Sequence, residues 1–128
     1  MPNKKGQPTE AEEQAALFEW ASYYPELRFM YAVPNGGSRN IIEAKNLKRQ
    51  GVKSGVPDIC LPVAAGGYHG LYIELKVGKN KLSENQKQWL EYLNKAGYMT
   101  KVCYGFQEAR ETIAGYISNR ERRGTNGV

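Results

Sequence analysis

The sequence predicts an α/β domain in which a mixed β-sheet is flanked by α-helices. Three observations predict it. Segments with apolar residues at helical spacing alternate with short segments of period two, in the order helix, strand, helix, hairpin, helix, strand, helix. The 128 residues suffice for one hydrophobic core and not for two. Hydrophobic residues make up 41% and charged residues 24%, a globular mixture that argues against disorder along the whole length. Helices and strands that each carry one apolar face bury those faces by layering helices on a sheet.

Residues 1–8 (MPNKKGQP) are polar and read as a flexible N-terminus. Thr9-Glu10-Ala11-Glu12 fits a capping box, so a helix starts at Thr9. Its stripe is Leu17, Trp20, Ala21 and Tyr24, and Pro25 ends it. Residues 28–33 (RFMYAV) read as a strand, stopped by Pro34-Asn35-Gly36-Gly37, whose glycines suit a turn. A short basic helix follows over 40–50, closed by Gly51. After the loop 52–57, residues 58–63 (DICLPV) and 71–77 (LYIELKV) are two strands joined by a glycine-rich turn, hence a β-hairpin. Ser83-Glu84-Asn85-Gln86 is a second capping box, opening a helix with Trp89, Leu90, Leu93 and Ala96 on one stripe and Gly97 at its end. Residues 98–104 (YMTKVCY) form a further strand. Phe106, Ala109, Ile113, Tyr116 and Ile117 mark a last amphipathic helix. The domain is thus expected over 9–118, with a flexible basic tail over 119–128.

Lys and Arg number 18 against 13 Asp and Glu, a formal charge of +5 that suits a polyanionic partner. Cys60 and Cys103 belong to no CxxC, and His69 is the one histidine, so a structural zinc site lacks ligands. Both cysteines sit in apolar strands and read as reduced core residues. His69, in the glycine-rich turn, reads as an exposed residue, and Trp20 and Trp89 read as core rather than as platforms for bases. No apolar run approaches the roughly 18 residues that cross a bilayer, and no signal peptide opens the chain. The expected location is the cytoplasm.

The chemistry-bearing stretch is Gly55 to Lys76. Of the 13 acidic residues, Asp58 is the one aspartate. In the strand 71–77, positions 71, 73, 75 and 77 are Leu, Ile, Leu and Val, a core face, so Glu74 and Lys76 share the opposite face. Asp58 starts the partner strand, and the hairpin brings it towards Glu74. Two carboxylates suffice to bind Mg²⁺, which offsets phosphoryl charge and activates water, and a lysine beside them can orient that water or stabilise developing charge. The competing explanation is a solvated strand face, where Glu74 and Lys76 form an exposed pair contributing under about 1 kcal/mol.

Pro57-Asp58 with Glu74-Leu75-Lys76 resembles the signature of the PD-(D/E)xK nuclease superfamily. More narrowly, the chain resembles the virus-type replication-repair nuclease (VRR-NUC) domain in its standalone phage form, over about residues 9–118. Thr9-Glu10 with Gln14, Pro34-Asn35-Gly36-Gly37, Gly55-Val56-Pro57-Asp58, Glu74-Leu75-Lys76, Leu82-Ser83 with Gln86, and Gly97-Tyr98 carry the resemblance in order.

The resemblance implies a restriction-endonuclease-like core. It implies metal ligation by Asp58, Glu74 and the Leu75 carbonyl, with Lys76 as the catalytic lysine. A glutamate from the first helix should join them. Glu10 matches by its spacing to Gln14, and Glu13 stays open as the alternative. Both also suit the positive end of the helix dipole. Gln86 recurs in such domains, yet it also fits as a pure helix cap, and both readings stay open. Arg39, Lys45, Lys48, Arg49 and Lys53 before Asp58, and Lys79 and Lys81 after Lys76, are candidates to grip the DNA backbone. The implied reaction is Mg²⁺- or Mn²⁺-dependent DNA hydrolysis leaving 5′-phosphate and 3′-hydroxyl ends. Branched DNA, four-way (Holliday) junctions foremost, is the expected substrate, a homodimer the expected assembly, and a phage's bacterial host the expected setting. The rivals are a nuclease of flap, packaging or restriction type, and a DNA-binding module that kept the fold and lost catalysis.

Overall fold

The computed structural model describes residues 6–34 and 41–125, with side chains to Asn119. The elements are α1 (Glu10–Ala21), a 3-10 turn (Pro25–Leu27), β1 (Tyr31–Ala32), α2 (Ile41–Arg49), β2 (Ile59–Leu61), β3 (Leu71–Lys76), α3 (Glu84–Lys95), β4 (Met99–Tyr104) and α4 (Phe106–Thr125). The four strands form one sheet in the order β1-β2-β3-β4. β2 runs antiparallel to β1 and β3, while β4 runs parallel to β3. The sheet is therefore mixed and flanked by helices, as the sequence predicts.

Period two in β3 divides the molecule. Leu71, Ile73 and Leu75 are at most 1% exposed and pack with Ile59, Leu61 and Cys103 of the neighbouring strands. Leu17 and Ala21 of α1 and Ala109, Ile113, Tyr116 and Ile117 of α4 close this core from one side. Each such aliphatic side chain removed from water contributes about 1.5–3 kcal/mol. Both cysteines are buried and unpaired, and only Cys103 joins this core. α3 packs on β4, with Leu93 buried and Trp89, Leu90 and Ala96 half-buried.

Several boundaries differ from the sequence reading, each for a local reason. α1 stops at Ala21 rather than beside Pro25. The residue before a proline is driven to extended backbone, and Tyr24 adopts φ −122, ψ 112. The strand expected over 28–33 contracts to Tyr31–Ala32 because the 3-10 turn continues through Arg28, whose N–H donates to Pro25 O, and Met30, whose N–H donates to Leu27 O. β2 ends at Leu61, since Pro62 has no N–H to add to the ladder. α4 continues to Thr125, past Asn119, where the tail was expected. The apolar stripe ends there, but Arg and Glu keep good helix propensity. The rest of the expected loose ends, residues 1–5 and 126–128, lies outside the described residues, as does the Asn35-Gly36-Gly37 turn.

Candidate active site

Both capping boxes form and set the ends of two helices against the site. Thr9 Oγ1 accepts from the Glu12 N–H and Glu12 Oε1 from the Thr9 N–H. Ser83 Oγ accepts from the Gln86 N–H at 3.2 Å, and Gln86 Oε1 from the Ser83 N–H at 2.9 Å.

Asp58 immediately precedes β2, where the ladder to β3 has ended. Its Oδ2 accepts the Leu75 N–H at 2.8 Å, taking the place of the missing strand partner. A strand residue's N–H and C=O face the same edge. The Leu75 carbonyl therefore faces the Asp58 edge, whereas the Lys76 carbonyl faces β4 and accepts the Gly105 N–H. Glu74 and Lys76 project from the sheet face opposite the core, yet both are buried, at 2% and 9% exposure. Burial removes the solvated-face explanation for this pair. Lys76 Nζ lies 3.8 Å from Glu74 Oε2. The Asp58 and Glu74 carboxyls lie close enough for each to shift the other's titration.

The electrostatics follow from this crowding. Burial, then the Asp58 charge and the hydrogen bond to Asp58, push Glu74 up to about 8, with Lys76 opposing and Glu10 adding to the rise. Burial also raises Asp58, against the Leu75 N–H, Glu74 and Lys76, which lower it. Glu10 is raised by burial and by repulsion from Asp58, with Lys76 opposing. Glu10 thus lies within electrostatic reach of the group. Glu13 does not join it. Its Oε1 accepts the Phe106 N–H at 2.7 Å and caps α4. Gly105 makes room for this cap, since a Cβ there would lie 2.8 Å from Glu13 Oε1. Nothing in the spacing of Glu10 and Glu13 revealed that division, because the capped helix lies 93 residues downstream of Glu13.

A divalent cation fits one feature in particular. Glu74 Oε1 is buried without a hydrogen-bond partner, an orphaned acceptor. Among the described residues, no three His, Cys, Asp or Glu side chains form a group that could hold an ion by themselves. The groups that could hold such an ion are Asp58, Glu74 and the Leu75 carbonyl, with Glu10 adding charge nearby. Mg²⁺ accepts one or two carboxylates and fills its remaining positions with water.

Gln86 unites the two readings left open for it. While its Oε1 closes the capping box, its Nε2 donates to Glu74 Oε2 at 3.0 Å. Its side chain thus ties Glu74 to the first turn of α3. Gln86→Ala is expected to lower the melting temperature by a few degrees, the loss of a cap costing about 1 kcal/mol. It should also weaken metal affinity by about tenfold to a hundredfold, as loss of an outer-shell partner does. Calorimetric titration of Mn²⁺ into the variant checks this, and wild-type affinity would leave Gln86 as a cap alone.

The candidate DNA contacts divide likewise. Lys45, Lys48 and Arg49 on α2, and Lys53 after it, are exposed, as are Lys79 and Lys81 beyond β3. Arg39 lies outside the described residues. The sequence reading singled out neither Ser54 nor Asn85. Asn85 Nδ2 donates to Ser54 Oγ at 3.2 Å, and a Cβ on Gly55 (φ +90) would lie 2.7 Å from the Asn85 backbone, so loop 52–57 is seated on the first turn of α3. His69 is exposed, with its ring edge-on to Tyr98. Trp20 packs against the core, and Trp89 is half-buried against Tyr92. No helix among the described residues is long and apolar enough to cross a membrane.

Comparison with known proteins agrees with the fold. The VRR-NUC domain model matches residues 7–107. A solved structure described as a VRR_NUC domain protein superposes with a TM-score of 0.78 at 33% identity, over 88% of this chain and 91% of that one. No curated protein matches the sequence. The chain belongs to the VRR-NUC family, and membership implies a nuclease of the PD-(D/E)xK type.

Proposed function

We propose that the protein is a Mg²⁺- or Mn²⁺-dependent endodeoxyribonuclease that cuts branched DNA, four-way junctions foremost, leaving 5′-phosphate and 3′-hydroxyl ends. The observation that carries the hydrolytic part is that Asp58 and Lys76 both meet the buried Glu74 carboxylate, one oxygen of which, Oε1, has no hydrogen-bond partner. A bound divalent cation would offset charge on the phosphoryl group and lower the pKa of an attacking water. Asp58, Glu74 and the Leu75 carbonyl would hold that cation, and Glu10 would add negative charge from α1. Lys76 would orient the nucleophile or meet charge as it develops on the phosphate. Gln86, donating to Glu74 Oε2, would hold that carboxylate in place for the cation. Lys45, Lys48, Arg49, Lys53, Lys79 and Lys81, with Arg39, would hold phosphates and position the DNA without reading sequence.

A junction is resolved by two symmetric cuts, which a homodimer with one site per protomer supplies. The preference for branched DNA rests on the family's standalone members. It is tested with a panel of duplex, nicked, flapped, splayed-arm and four-way DNA of equal length, with Mg²⁺, Mn²⁺ or chelator. Cleavage of the junction in both strands, dependent on metal and ahead of linear duplex, is the expected result. Preferential cleavage of flaps would reassign the substrate. Binding without cleavage, across all DNA forms and metals, would assign a silent binding module instead.

A further inference from the structure

α2 and the loop that follows it form an arm that joins the fold at the candidate active site. The Val33 N–H donates to the Asp58 carbonyl at 2.7 Å, so Val33 sits beside Asp58. The Ser54–Asn85 hydrogen bond and the close approach of Gly55 pin the return limb next to Gln86, which itself holds Glu74. α2 itself packs little. No residue of α2 is buried, and only Leu47 is half-buried.

The distribution of side chains around α2 inverts that of an ordinary surface helix. At about 100° per residue, Ile41, Lys45, Lys48, Arg49 and Ile42 fall within one sector of roughly 120°, and Leu47 lies on the opposite side. Ile41 and Ile42 are 73% and 72% exposed, with three cations on the same face. Two adjacent β-branched side chains standing in water gain stabilisation only when a partner covers them. A protein core would have to bury the three cations with them, which is costly without counter-charges. Nucleic acid supplies both needs, phosphates for the cations and base faces for the isoleucines. Isoleucine is among the side chains that enter between base steps as wedges.

We propose that Ile41 and Ile42 form an apolar wedge that enters an unstacked base step of branched DNA, while Lys45, Lys48 and Arg49 hold the flanking phosphates. This rests on the nuclease reading of the adjacent site, and it assigns the recognition of distortion to the arm. DNA whose bases are already unstacked, as at a branch point, costs less to open than continuous duplex, so the wedge selects it.

The test uses the full chain with Ca²⁺ in place of Mg²⁺, to hold DNA without cutting it. The probes are a four-way junction with 2-aminopurine beside the branch and a linear duplex with the same label. Wild type is expected to raise the fluorescence of the labelled junction on binding, reporting an unstacked base. Ile41→Ser/Ile42→Ser should abolish that rise and bind the junction about tenfold more weakly, with duplex binding nearly unchanged. Lys45→Ala/Lys48→Ala should weaken both DNA forms alike and reduce the log–log salt slope by about two. A serine variant that keeps the wild-type rise and affinity overturns the proposal. So does a wild-type dimer that the serine pair converts to monomer, because the isoleucines would then face a second copy. The nuclease reading fails separately, by absence of metal-dependent cleavage of any DNA by wild type, and the fluorescence assay needs no cleavage.

Discussion

Asp58→Asn and Glu74→Gln are each expected to reduce metal-dependent DNA cleavage on the order of a thousandfold or more, while the protein stays folded and still binds DNA. Both substitutions remove a charge and keep the shape. The asparagine side-chain oxygen would still be able to accept the Leu75 N–H, which Asp58 Oδ2 accepts at 2.8 Å. The glutamine amide resembles the protonated carboxyl that Glu74 carries below about pH 8 in the metal-free protein. What disappears is the negative charge that would hold a divalent ion.

The same Glu74→Gln variant has a second signature, in stability against pH. The Glu74 carboxyl is raised from 4.5 to about 8 on folding. Between these values the folded protein retains a proton that the unfolded chain has released, so stability falls as pH rises. The stabilising contribution is complete below about 4.5 and is lost through 8. In chelator, the wild-type melting temperature should therefore drop by about 5 °C or more between pH 5 and 9, a loss of a kcal/mol or two in a domain this size. Added Mg²⁺ should restore it, since an ion that binds only the folded state stabilises that state. Glu74→Gln should show a flatter profile and no response to Mg²⁺. Scanning calorimetry at several pH values checks this, and equal slopes in the two proteins would remove Glu74 from the proposed role.

The site was legible in the sequence because β-strand alternation is a strict geometric rule. Leu71, Ile73 and Leu75 announce a core face, and Glu74 and Lys76 must then stand together behind it. The capping boxes at Thr9 and Ser83 were legible for a similar reason, being closed within four residues. Three things were not legible. The sequence cannot say that the opposite face is also closed over, so the burial of Glu74 and Lys76 emerges only when α3 packs on β4. Glu10 and Glu13 have similar helical positions. What separates them is the Phe106 N–H, a contact made by tertiary packing. The ends of β1 and β2 depend on which N–H groups find partners, and local propensity over 28–33 and 58–63 does not contain that information. The exposure of Ile41 and Ile42 belongs to the same class.

Lys76 tests whether chemistry or packing explains that buried pair. An amine 3.8 Å from Glu74 and nearly sealed from water is stabilised by the carboxylates around it, and those carboxylates by the amine. Lys76→Ala is expected to lower kcat by about a hundredfold to a thousandfold, the loss typical of one group that stabilises transition-state charge. It should leave Mn²⁺ affinity within a few-fold of wild type, because the ligands remain. Lys76→Met keeps most of the volume and the apolar stem without the charge, so it should restore the melting temperature of the alanine variant but not its turnover. Lys76→Arg retains charge but replaces a compact ammonium by a wide planar fork at a nearly buried position. It should fail as well. Recovery of turnover by the methionine variant would mean that the position matters for its volume. Single-turnover cleavage with saturating DNA and Mn²⁺ separates these outcomes, since it reads the chemical step apart from binding and release. A methionine variant as slow as alanine, folded as well as wild type and loaded with metal, would place the ε-ammonium at the reacting phosphate.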